Sequence, residues 1–185
     1  YIKDAKLSKL IKLLEDFPEK KLKQYPQLGL IYCYTFSLYR ISALKPKKTG
    51  IDLFQLLESI ESKITKGQRP HFMALKSLCY YHQGNIAKTI EIGIQATKEM
   101  KDPCLFKELA LNRLGQAYDS LLESERAEYY FAQAAKSNEK NNNHELFCQD
   151  AQRYGSGCPQ LQRALAKSRS RCLSANDGQM SKVDI

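Results

Sequence analysis

The apolar positions of this chain recur at helical spacing from its beginning. Leu7, Leu10, Ile11, Leu14 and Phe17 share one face of a helix that Pro18 ends. After a short connector, Pro26 is placed as the first residue of a helix reaching to about Ala43. Lys45-Pro46-Lys47-Lys48-Thr49-Gly50 reads as a loop, and Leu53, Leu56, Leu57, Ile60 and Ile64 predict another amphipathic helix, closed by Gly67. Pro70 opens the next helix and Gly84 breaks it. Ile86, Ile90, Gly93, Thr97 and Met100 then line one face of its partner. Asp102-Pro103 has the form of an N-cap followed by a first-turn proline, leading a helix to about Leu122. Ser124 is placed to cap a last partner that Asn141-Asn142-Asn143 ends. No segment alternates with period two, so the predicted fold class is all-α.

Two parts of this pattern repeat with a shift of 38 residues. Residues 70–100 and 108–138 share small residues at Ser77/Gly115, tyrosine at Tyr80/Tyr118 and alanine at Ala96/Ala134. Each carries a helix-sized apolar pattern, a polar turn (Gln83-Gly84-Asn85; Glu123-Ser124-Glu125) and a second helix-sized pattern. A period of this length predicts helix pairs that bury their apolar faces by stacking on their neighbours. The division this implies is a helical-repeat domain over residues 1–140, with pairs at about 26–66, 70–100 and 104–140 after a helix at 2–17. Another 38-residue step would need a small residue near 153 and tyrosine near 156, where Arg153 and Ser156 stand. Residues 141–170 are therefore expected to be degenerate capping helices and 171–185 a polar, disordered tail, the alternative being a foreign or truncated terminus.

Leu111, Leu114, Gly115, Tyr118, Ala127, Phe131 and Ala134 occupy spacing that resembles the tetratricopeptide repeat. Small residues there allow two helices to approach while aromatic rings fill the space between them. The pair from Pro70 follows this less closely, with Thr89 and Gly93 at positions that usually hold alanine and a large apolar residue. Leu28-Gly29-Leu30-Ile31-Tyr32 repeats the first-helix half. The resemblance implies antiparallel pairs stacked in a right-handed superhelix.

A narrower resemblance rests on the run from Leu13 to Leu28, which includes Phe17-Pro18 and Pro26-Gln27-Leu28, and on Tyr81-His82-Gln83-Gly84-Asn85-Ile86-Ala87. With the repeat at Leu111–Ala134, this order of segments is similar to the helical-repeat region of MalT-type regulators of the LuxR family, over about residues 10–140. The resemblance implies a bacterial, non-enzymatic sensor segment that binds a small inducer or a regulatory protein. ATP-binding and DNA-binding domains are expected outside this chain. The alternative is a tetratricopeptide scaffold that binds a partner peptide or helix, unrelated to transcription.

Charge and composition narrow these readings. The 185 residues carry a net charge of +9, and the surplus lies in residues 1–69, with 14 Lys/Arg against 7 Asp/Glu. Lys20, Lys21, Lys23, Lys45, Lys47 and Lys48 fall in predicted loops without aromatic interleaving, which favours solvated turns over a nucleic-acid surface. No GxxxxGK[ST] phosphate loop occurs, so neither ATP binding nor turnover is expected of this segment. No run of 18 apolar residues is present and no leader is visible, so a cytoplasmic location is expected. Six scattered cysteines, none in a CxxC pair, read as reduced thiols. The chain opens without Met, which is expected of a piece of a longer protein.

No catalytic constellation emerges, and no cofactor or metal is expected. Cys79 and His82 stand one helical turn apart, too few ligands for zinc. Asp119 and Glu123 read as a solvated helix face. In a stacked-helix array the first helix of each pair lines the concave surface. The positions this selects are Tyr34, His71, Ala74, Leu78, Tyr81, His82, Asn112, Gln116 and Asp119. Their mixture of rings, amides, imidazoles and one carboxylate suits a small polar or amphipathic molecule, or a peptide.

Overall fold

Eight α-helices account for most of the described chain, residues 2–39, 52–101 and 104–141 of a computed structural model, and no strand occurs among these residues. Helix α1 (Ile2–Glu15) ends before Pro18, and the segment that the sequence suggests is a bare connector instead forms a short helix, α2 (Glu19–Gln24). Pro18, with no N–H of its own to satisfy, stands just before that helix, and Leu22 at its centre is fully buried. Helix α3 (Pro26–Tyr39) begins at the expected proline, and its predicted continuation to Ala43 and the lysine loop lie outside the described residues.

Helix α4 (Leu53–Ile60) is shorter than the apolar spacing suggests. Asp52 caps it, its carboxylate accepting the N–H groups of Phe54 and Gln55 at 2.8 and 3.2 Å. The chain then tightens into a 3-10 turn over Glu61–Lys63 and becomes extended at Ile64, well before Gly67.

The remaining helices form two hairpins, α5 (Arg69–His82) with α6 (Ile86–Glu99), and α7 (Leu105–Ser120) with α8 (Ser124–Asn141). These two pairs are the most extensive contacts in the fold, and α7 also packs on α5 and α6. The Asp102-Pro103 start lies outside the described residues. Cys104, in extended conformation, occupies the position before Leu105.

The 38-residue shift is visible in the backbone. Asn85 N–H donates to the Tyr80 carbonyl at 2.9 Å, and Glu123 N–H to that of Tyr118 at 3.0 Å. Gly84 N–H donates to Tyr81 and Leu122 N–H to Asp119, at 3.0 and 2.9 Å. Both helices thus end in the same pair of crossed bonds around a left-handed residue, Gly84 at φ 75° and Leu122 at φ 60°. The second turn is therefore centred on Leu121–Glu123, two residues before the polar Glu123-Ser124-Glu125 that the sequence pattern selects.

Close helix approach depends on small residues. A Cβ on Gly115 would stand 2.5 Å from the Phe131 ring, and one on Gly93 would stand 3.0 Å from both the Leu114 side chain and Ser77 Oγ. Thr89, the departure from the usual alanine, is fully buried with its hydroxyl donating to the Asn85 carbonyl at 2.9 Å. Its own carbonyl accepts Ser77 Oγ–H at 2.9 Å, so the polar substitution is satisfied within the α5–α6 pair. One apolar cluster runs from Ile11 and Leu14 through Leu56, Leu57 and Leu75 to Ala110. A second joins Leu111, Leu114 and Tyr118 to Ala127, Phe131 and Ala134. No helix among the described residues is long and apolar enough to cross a membrane. Residues 142–185, where capping helices and a tail are expected, lie outside the described chain.

Candidate functional site

The positions singled out as concave-face residues separate into three groups. Tyr34 of α3 and His71 of α5 are half-buried, and each places its ring 4.8 Å from that of Phe106 on α7. Helices α3, α5 and α7 therefore meet through their rings. Burial lowers the pKa of His71 from its ordinary value, because this environment solvates an imidazolium poorly. Phe106 carries the junction, and its place in Leu105-Phe106 at the start of a helix gives no sequence signal beyond ordinary core.

Leu78 and His82 belong to a pocket of about 200 Å³ between the C-terminal end of α3, the start of α4 and the end of α5. Its other lining residues are Ser37, Asp52, Leu53, Phe54, Cys79 and Gln83. Leu78 is 2% exposed and forms part of the wall, whereas His82 is exposed at the rim. Helix geometry dictates this, since Leu78 and His82 are one turn apart on α5, with His82 at its last position. Ser37 Oγ–H donates to the Tyr34 carbonyl at 2.7 Å, and Asp52 is occupied by its capping bonds. The pocket thus sets Leu53, Phe54 and Leu78 beside an imidazole, an amide, the Cys79 thiol and the Asp52 carboxylate.

Cys79, His82 and Asp52 invite comparison with a nucleophile, a base and an orienting carboxylate. The Asp52 Oδ1 accepts two backbone N–H groups of α4, so one oxygen of this carboxylate serves as the helix cap. No group of three metal-ligating side chains clusters among the described residues. Cys33 of α3, its sulfur 3.9 Å from the carbonyl of Leu53 in the pocket wall, is 1% exposed, and burial pushes its thiol pKa far up.

The third group is on α7, which is buried without a break from Glu108 to Tyr118. Asn112 and Gln116 are 7% and 9% exposed, so neither presents an open surface, and Asp119 is half-buried. Between them the fully buried Arg113 donates from Nη1 to Gln116 Oε1 and sets its guanidinium carbon 5.9 Å from the centre of the Tyr81 ring. Tyr81 and Gln116 are thus linked through a residue the sequence reading left aside. Its signal was present: Arg113 stands three residues after Ala110 and four before Ala117, at the register of buried alanines.

The structure therefore brings Tyr34 to His71, Leu78 to His82, and Tyr81 to Gln116; Ala74 is fully buried, and the nine residues do not gather around one opening. Compared with known protein families, curated proteins and solved structures, the chain matches none.

Proposed function

We propose that this chain is a non-enzymatic recognition domain built from stacked helix pairs, the sensor segment of a regulator resembling the MalT type. The observation that carries the reading is the pocket at the junction of α3, α4 and α5, where apolar walls from Leu53, Phe54 and Leu78 meet His82 and Gln83. Such a site holds an apolar body and orients it through one or two polar contacts. Asp52 caps α4 through Oδ1 at the pocket's edge, and the residues around it suit holding a ligand. Its volume of about 200 Å³ fits a compact inducer or one side chain of a regulatory protein. The junction joins three helices, so an occupant that favours one arrangement of them shifts the population of states in the parent protein.

Thermal melting of the chain against sugars, organic acids and short peptides tests this. A ligand at about 100 times its dissociation constant adds about 2.7 kcal/mol to stability. A saturable shift with a metabolite, lost in His82→Ala, supports the sensor. A shift with peptides alone, lost in the same variant, supports the scaffold reading. Shifts that His82→Ala leaves intact would remove this pocket from the function.

A further inference from the structure

A second concavity shares no lining residue with the α3–α4–α5 pocket. Lys20, Lys21, Lys23 and Gln24 of α2, with Lys63 of the 3-10 turn, line an open depression of about 580 Å³. The fold constructs this cluster. Leu22 is driven fully into the core, which fixes the face of α2 and directs its lysines outward. Lys63 Nζ donates to the Lys23 carbonyl at 2.7 Å, joining the 3-10 turn to a helix forty residues earlier. Lys23 pairs with Glu19 at 2.5 Å, and the Lys21 ammonium stands 5.8 Å from the centre of the Tyr25 ring. No carboxylate is among the described lining residues.

Sequence alone treated Lys20, Lys21 and Lys23 as part of a solvated loop. Their placement on a helix, opposite a fourth lysine that a backbone carbonyl holds in position, changes that reading. Ammonium groups gathered around one depression repel each other, and an anion among them relieves the repulsion. Lysine serves phosphate as a compact charge with three donors, and the volume lies within the range of small-molecule sites. We propose that the α2 lysine cleft binds a ligand carrying clustered phosphate groups, supplied either by a free polyphosphorylated molecule or by the headgroup of a phosphorylated lipid. A single-stranded nucleic acid would present its phosphates one by one along a strand, and no aromatic ring is among the described lining residues of the cleft.

The test uses the full 185-residue chain at constant, physiological ionic strength. Sodium tripolyphosphate is titrated calorimetrically. Sedimentation follows binding to phosphatidylcholine vesicles with or without phosphatidylinositol bisphosphate. The cleft variant is Lys20→Gln/Lys21→Gln/Lys63→Gln. A variant that loses the same charge elsewhere, Lys98→Gln/Lys101→Gln/Lys136→Gln, is the control. Saturable tripolyphosphate binding, weakened about tenfold or more in the cleft variant and unchanged in the control, is the expected result. Vesicle binding with the same pattern, dependent on the bisphosphate, assigns the source to a lipid headgroup, and its absence assigns a free ligand. Equal weakening in both variants, no binding of either probe, or binding only to a single-stranded oligonucleotide would overturn the proposal. Circular dichroism of the cleft variant establishes that a loss reflects the lysines rather than unfolding. The outcome is independent of the His82 pocket.

Discussion

At the scale of single residues, His71 ties the ring junction to solution conditions. Its half-buried imidazole sits beside Phe106, and burial lowers its pKa. The folded chain therefore keeps His71 neutral where the unfolded chain, with an ordinary pKa of about 6.5, takes up a proton. The sign follows from linkage: the unfolded state binds more protons, so stability is whole above that value and declines as pH falls below it. His71→Phe keeps a ring against Phe106 and removes the proton. Melting followed from about pH 7.5 to about pH 5.5 should show a steeper loss for the wild type than for His71→Phe. Parallel losses would place the proton linkage on other groups. Cys33 shows a related effect without a switch, since its buried thiol, 3.9 Å from the Leu53 carbonyl, behaves as a small hydrophobe.

At the scale of elements, the two hairpin turns offer a paired comparison. Gly84 and Leu122 hold the same left-handed conformation 38 residues apart, but only glycine takes it without a Cβ penalty of about 1–2 kcal/mol. Leu122 is 89% exposed, so shortening it forfeits little burial. Leu122→Gly should stabilise the chain by about 0.5–1 kcal/mol, the conformational relief less the added freedom of the unfolded chain. Gly84→Ala should destabilise by a similar amount; chemical denaturation reads both. The helix contact at Gly115 behaves oppositely. Gly115→Ala forces a methyl group into the Phe131 ring and should cost about 1–3 kcal/mol. In a Phe131→Leu background most of that cost should vanish, and additive costs would show that the ring is not what the methyl group meets. These same elements mark how far the sequence could be read. The spacing of Ser77, Gly115, Ala96 and Ala134 revealed helix pairs because small residues recur where backbones touch. It misplaced the second turn because turn position is set by carbonyl geometry at Tyr118, and Leu121-Leu122 lacks the glycine that announces such a turn. Helix α2 was hidden between two prolines and in a lysine-rich composition, with Leu22 its single buried residue.

At the scale of the whole molecule, the stacking order predicts how stability is distributed. Helix α7 touches α5, α6 and α8, and eleven consecutive residues of it are buried. Helix α1 packs chiefly on α3, and Leu13 of its outer face is 66% exposed. A helix with several packed neighbours opens only when they do, whereas one with few contacts frays alone. Amide hydrogen exchange should therefore be slowest in α7 and fastest in α1, with α5 and α6 close to α7. The candidate site was only partly legible for the same reason. A first-helix position reads as solvent-facing when each pair is considered by itself, yet Asn112 and Gln116 are closed off and Tyr34 and His71 pack on Phe106. The α3–α4–α5 pocket lies where a hairpin meets the helices before it, so an occupant there ties α4 to α5 and should slow exchange on both sides of that junction. Slowing confined to the end of α5 would instead mean that the ligand rests on His82 alone and couples nothing, which would separate binding from sensing.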